Sequence, residues 1–165
     1  RALAQHLRQG CAEKDYPVPK VLLEPGRSIV ANAGLTLYRV GGIKTIEGYR
    51  SYVTVNGGMT DNPRYALYKA PYTVVPASRM NDAREVTCTV AGRCCESGDL
   101  IQENIQLPEM RRDDLLAVLT TGAYNFTMAS NYNRLCRPAL VMVRNGKARL
   151  AVRRQTFADL VACDL

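Results

Sequence analysis

A mainly β fold, a Greek-key barrel or sandwich behind a short α/β piece, is what this sequence predicts, on three observations. From Leu35 onward, short apolar runs rich in β-branched and aromatic residues recur between Gly, Pro and Asn turn residues, as in antiparallel β architectures. Asn145-Gly146 sits between Leu140–Arg144 and Ala148–Arg153, the strongest short-range hairpin signal, with type I′ geometry. Ahead of Leu35 the texture differs, with helical spacing, a proline-rich link and then a continuous apolar triplet.

Ala2, Leu3, His6 and Leu7 predict a helix over residues 2–12, closed by Gly10. Asp15-Tyr16-Pro17-Val18-Pro19 is extended, because proline restricts itself and its predecessor. Val21-Leu22-Leu23 predicts a strand buried on both faces. Helix, link and buried strand are what the last βα unit of a (β/α)8 barrel would look like, and it cannot form a barrel alone. The expected division is therefore a barrel remnant over 1–34 and a β domain over 35–165. Strands are expected at Leu35–Ile46, Tyr49–Val55, Tyr72–Val75, Glu85–Val90 and Leu115–Thr121, followed by the hairpin. Thr156 is positioned to cap a last helix over Phe157–Cys163.

With 165 residues, 47% of them apolar and 22% charged, the chain can build a core and does not have a disordered composition. No apolar run approaches the roughly 18 residues of a membrane helix, so a soluble chain is expected. It opens on Arg1 inside a helical pattern, without Met or a secretory signal, which suggests a piece of a longer protein. The six cysteines form no C-x-x-C pair and His6 is the sole histidine, so neither a zinc site nor a disulfide framework is indicated. Reduced thiols in a cytoplasmic protein are expected. The net charge of +7 is concentrated late: residues 115–158 hold no acid but include Arg134, Arg137, Arg144, Lys147, Arg149, Arg153 and Arg154. A nucleic-acid module is one reading of that stretch. No stacking aromatics interleave with it, which favours a solvated face balanced by another part of the molecule.

Four segments carry chemistry. Glu24-Pro25-Gly26-Arg27 follows the predicted buried strand, and its turn can offer backbone N–H groups to an anion beside a carboxylate and a guanidinium. In Asp61-Asn62-Pro63-Arg64-Tyr65-Ala66-Leu67-Tyr68, one helical turn would present Arg64 and Tyr68 together. Arg93-Cys94-Cys95-Glu96-Ser97-Gly98-Asp99 suits a reactive loop, since a thiol with a reference pKa near ~8.5 can donate a proton at neutral pH. Gly122-Ala123-Tyr124 places a phenol among small residues, where it can reach a phosphate or carboxylate.

The order and surroundings of these segments, with Ser28 to Gly34 and Ser130-Asn131-Tyr132-Asn133, closely resemble the second half of bacterial diaminopimelate decarboxylases. The resemblance runs from about Val21 to the end. It implies an alanine-racemase-like barrel joined to a carboxyl-terminal β domain, with pyridoxal 5′-phosphate at the barrel mouth. By that resemblance Glu24 faces the pyridine nitrogen, the Gly26-Arg27 turn lies at the phosphate, and Tyr124 reaches cofactor and substrate. Arg27, Arg64 and Tyr68 would hold the distal carboxylate of meso-diaminopimelate, and Glu96 its distal ammonium. Glu rather than Asp after Cys95 favours this substrate over ornithine. Cys95 would return a proton after CO2 departs, across the interface of a homodimer with shared sites, while Cys94 would only pack. The cofactor-bearing lysine belongs to the barrel half, and Lys14, Lys20, Lys44, Lys69 and Lys147 match no such motif. The chain alone is thus expected to be inactive and not to hold the cofactor tightly. The alternatives are a related ornithine, arginine or carboxynorspermidine decarboxylase, or a non-enzymatic basic β-barrel.

Overall fold

In the computed structural model, which describes residues 1–165, strand β1 (Leu35–Ile46) is the spine of the molecule. Period-2 alternation turns Tyr38 and Val40 inward and Leu35, Leu37 and Arg39 outward. Over Leu35–Arg39 it pairs antiparallel with β6 (Leu115–Leu119), and from Val40 to Ile46 it pairs antiparallel with β2 (Arg50–Val55). The change of partner coincides with a register shift between Val40 and Gly42, the kind of irregularity that bends a strand. β4 (Val86–Ala91) runs parallel to β2, β5 (Leu100–Leu107) antiparallel to β4, and β3 (Val74–Pro76) antiparallel to β6. The six-stranded order is β3-β6-β1-β2-β4-β5.

This sheet curls into a nearly closed barrel, the first of the two expected architectures. Its edges, β3 and β5, share no ladder; instead the Tyr72 N–H donates to Gln102 Oε1 at 2.8 Å, bridging the gap. The interior is a cluster of 13 buried residues in which Val90, Ile101, Leu107, Leu116 and Val118 expose no surface. The hairpin β7 (Leu140–Arg144) and β8 (Lys147–Val152) stands apart, with every residue exposed. Its Asn145 and Gly146 have φ of 51° and 72°, as the type I′ turn requires. Gln155 ties it down: its side-chain oxygen accepts from Asn131 Nδ2 and from the Arg137 N–H.

Several expectations need correction. Val21, Leu22 and Leu23 form no strand and are exposed, Leu22 to 79%. An extended segment between Pro19 and Pro25 has no neighbouring strand within this chain to complete its hydrogen bonds. Helix α1 (Ala2–Glu13) runs through Gly10 rather than stopping there, since a glycine costs a helix only about 1 kcal/mol and does not by itself end it. The edge strand begins at Val74, since the Tyr72 N–H is spent on Gln102. β6 stops at Leu119 because Thr120 turns to φ 62°. Strand β5 went unforeseen, its pattern interrupted by Glu103-Asn104, with Asn104 at φ 52°. The last helix, α4 (Phe157–Leu160), is shorter than expected, yet Thr156 and Asp159 form the full reciprocal capping box. The basic stretch is partly balanced within the chain, by Arg134–Asp164 at 2.7 Å and Arg153–Asp159 at 2.6 Å. No helix is long and apolar enough to cross a membrane, and all six thiols are free.

One polar cluster seats the helix that matters most for the site. Glu103 on β5 accepts from the Tyr65 hydroxyl at 2.5 Å and from Arg50 at 2.8 Å, fastening α3 (Arg64–Tyr68) to the barrel wall. The bond from Tyr65, and then Arg50, hold the Glu103 carboxyl below the usual range. Burial, and then the bond to Glu103, push the Tyr65 phenol up to about 12. The folded chain therefore keeps a proton that the unfolded chain releases near pH 10, so this contribution is complete below pH 10 and is lost as pH rises toward 12. Tyr65→Phe is expected to flatten that part of the alkaline stability profile and to cost about 1–2 kcal/mol at neutral pH, read from urea midpoints at pH 7 and 11.

Candidate functional site

Strand directions alone bring the chemically interesting loops to one rim. β1 enters the sheet there; β6 and β2, antiparallel to β1, leave there, and so does β4, parallel to β2. The turn before β1 carries Arg27, the loop after β2 leads to Arg64 and Tyr68, the loop after β4 carries Cys95 and Glu96, and the loop after β6 carries Tyr124. The Pro71–Thr73 segment leading into β3 reaches the same rim, because β3 is antiparallel to β6.

The entry to β1 and the exit from β6 are locked together by a backbone-to-backbone approach. The Gly122 N–H donates to the Ala31 carbonyl at 3.0 Å, and the Thr121 N–H donates to the Gly34 carbonyl at 3.0 Å. A Cβ on Gly122 would lie 2.1 Å from the Val30 carbonyl oxygen, and one on Gly34 would lie 2.4 Å from the Gly122 Cα, so only glycine fits at either place. This contact sets the short helix α2 (Arg27–Val30) beside the Tyr124 loop. Tyr124 adopts φ 64°, uncommon for a non-glycine residue, and its hydroxyl lies where a Cβ on Gly26 would sit, 2.0 Å away.

Across from this pair, the Arg64 guanidinium stands 5.1 Å from the Tyr68 ring centre and 5.5 Å from that of Tyr124. The expected shared helical turn of Arg64 and Tyr68 exists as α3. Arg27 and Arg64 both line a cleft of about 400 Å³, together with Ala70, Pro71, Tyr72, Thr73, Leu119 and Thr120. Arg27 Nη2 and Arg64 Nε are buried with no hydrogen-bond partner in the chain. A buried unpaired donor costs on the order of 1–3 kcal/mol, more when charged, and two guanidinium groups lining one cleft favour an anionic acceptor there.

The structure thus gathers Gly26, Arg27, Arg64, Tyr68 and Tyr124. Cys95, Glu96 and Glu24 are exposed, and Glu24 has no ion-pair partner. The Cys95 N–H donates to Asn133 Oδ1 at 2.9 Å, linking its loop to the segment after Tyr124. Cys94 is half-buried, and burial, then Asp99, push its thiol up, as suits a packing role.

Three acids to which the sequence assigns no role build the framework of the rim. Asp61 accepts from the Tyr38 hydroxyl, and from the Gly58 N–H at 3.0 Å. Burial, with Asp99 adding to it, holds the Asp61 carboxyl above the usual range; burial and then Asp61 push the Tyr38 phenol well up. Asp99 is 3% exposed, and Glu103 anchors α3. The available signal was slight: Asp61 stands three residues past a glycine pair and Asp99 directly ahead of Leu100-Ile101, while Glu103, within Gln102-Glu103-Asn104, carries none.

The family described as "Pyridoxal-dependent decarboxylase, C-terminal sheet domain" matches residues 16–122. The diaminopimelate decarboxylase of Bacillus subtilis (strain 168) is 48% identical over 163 residues, covering 99% of this chain and 37% of that protein. A crystal structure of diaminopimelate decarboxylase from M. jannaschii in co-complex with L-lysine superposes with a TM-score of 0.82 at 34% identity, over 96% of this chain and 36% of that one. A lysine/ornithine decarboxylase complexed with cadaverine from Vibrio vulnificus is less similar, with a TM-score of 0.62 at 29% identity, over 78% of this chain and 36% of that one. The chain therefore spans little more than a third of the length of these relatives. Since the family match takes in well over half of the chain, the chain belongs to the pyridoxal-dependent decarboxylases, as their C-terminal sheet domain.

Proposed function

We propose that a full-length protein carrying this chain converts meso-2,6-diaminopimelate to L-lysine and CO2, as a cytoplasmic homodimer with sites shared between subunits. The observation that carries this is the rim cleft, where Arg27 and Arg64 hold buried, unpaired donors beside Tyr68 and Tyr124. A substrate with a second amino-acid centre brings a carboxylate that needs such donors; ornithine does not. The relatives named diaminopimelate decarboxylase support the same choice, and the lower similarity to the lysine/ornithine enzyme weighs against its alternative.

The same donor set fits pyridoxal phosphate, because the Tyr124 hydroxyl closes on the backbone at Gly26, next to the cleft-lining Arg27. When bound, the cofactor supplies the electron sink for the pair left as CO2 departs. Glu24 keeps its ring nitrogen protonated. Arg64, Tyr68 and Arg27 orient the substrate through its distal carboxylate, and Glu96 pairs with the distal ammonium. Cys95 delivers a proton to the carbon that lost CO2. On this reading residues 1–34 belong to a barrel, whose surface covers the exposed Val21, Leu22 and Leu23. The nucleic-acid alternative is weakened by the ion pairs that already engage Arg134 and Arg153.

The full-length protein, supplied in turn with meso-diaminopimelate, ornithine, arginine and carboxynorspermidine, is expected to release CO2 from the first alone and to form lysine. Release from another substrate, or a product other than lysine, rejects the assignment. Arg64→Ala is expected to raise KM for diaminopimelate by roughly 30-fold or more, corresponding to about 2 kcal/mol for a lost charge-assisted contact, with a smaller change in kcat.

A further inference from the structure

Asp99 joins two rim loops that lie far apart in sequence. One carboxylate oxygen accepts from the Met59 N–H and the other from the Cys94 N–H, each at 2.6 Å. Met59 belongs to the loop after β2, five residues before Arg64, and Cys94 belongs to the loop after β4, next to Cys95. The carboxylate fills the space that side chains would need on both loops: a Cβ on Gly58 would lie 2.5 Å from it, and one on Gly92 would lie 2.2 Å from it. The strand ladder continues the connection, since the Gly92 N–H donates to the Asp99 carbonyl and the Arg93 N–H to the Gly57 carbonyl, at 2.8 and 3.0 Å. Asp61 then holds the Arg64 loop from its other side, through the Gly58 N–H and the Tyr38 hydroxyl.

We infer that Asp99 is a positioning residue that sets the Arg64 loop and the Cys95 loop in one fixed relation, so that reading the distal carboxylate and delivering the proton depend on a single buried side chain. The kinetic part rests on the decarboxylase reading above; the mechanical part does not. A carboxylate offers an acceptor to each loop. An amide of the same size offers one acceptor and turns its NH2 group toward a backbone donor, so whichever way it flips, one loop loses its anchor.

The test is Asp99→Asn in the full-length protein, followed by amide hydrogen exchange and by steady-state kinetics. Exchange is expected to quicken about tenfold or more in both 57–62 and 92–96, while the barrel strands keep their protection. For diaminopimelate, KM is expected to rise and kcat to fall, each by about fivefold or more, because one loop serves binding and the other the proton. Gly92→Ala, which keeps the carboxylate but crowds it, is expected to loosen the same two loops and takes the place of Asp99→Asn if that variant does not fold. Faster exchange in 92–96 alone, or kcat and KM both within twofold of the parent, overturns the inference. A parent protein that forms no lysine rejects the functional reading instead, and the exchange result still decides whether the two loops are held together.

Discussion

The constraint on which the rest of the molecule depends is the exchange of partners along β1. Residues 35–39 are committed to β6 and residues 40–46 to β2, so one strand belongs to both halves of the sheet. Bending at the shift near Gly42 wraps the halves around a common interior. Everything useful hangs on the directions this sets. Had β4 run antiparallel to β2, its exit loop with Cys95 would lie at the opposite end from Arg64. The parallel pairing of Tyr52–Thr54 with Thr89–Ala91 prevents that.

Rim loops are ordinarily the mobile part of a barrel, because their backbone groups have only water to satisfy them. Here the loops are held by acids wholly or partly withdrawn from solvent: Asp99 between two backbone N–H groups, Asp61 bonded to Tyr38, and the half-buried Glu103 between Tyr65 and Arg50. Taking carboxylates out of water is unfavourable unless their oxygens are matched by donors. Each of these acids is matched, by backbone N–H groups, phenols or a guanidinium, and each match joins a loop or helix to the wall or to another loop. The rim thus sorts its charges. Acids serve as fasteners, while Arg27 and Arg64, which line the cleft, each keep a buried N–H unmatched.

Much of this was legible in the residue pattern, and the failures have physical causes. β1 appeared at its full extent, and the Asn145-Gly146 hairpin and the Thr156 cap formed as read, because each is encoded by neighbours in sequence. The Arg64–Tyr68 turn was legible for the same reason. Val21-Leu22-Leu23 misled because apolar continuity reports a preference for burial, and burial needs a partner surface that this chain does not provide. β5 was hidden by polar residues that serve as fasteners: Glu103 and Gln102 break the apolar run because one holds α3 and the other closes the barrel. The contact of Tyr124 with Gly26 spans nearly a hundred residues and depends on the Gly34–Gly122 approach, which no local rule could anticipate.

The residues left outside the gathered cluster carry the last step of the reasoning. Glu24, Cys95 and Glu96 are the three whose proposed chemistry depends on another surface, either a cofactor ring or a second subunit, and all three face solvent here. Arg27 and Arg64, by contrast, each hold one nitrogen that is already desolvated. A guanidinium must be preorganised to discriminate, because its directional bonds are worth most where water cannot compete. A proton donor must instead reach a carbon held by another part of the protein, so an exposed thiol on a firmly seated loop suits that task. On this reading the sheet domain settles which end group is accepted, and it lends the group that acts at the other end.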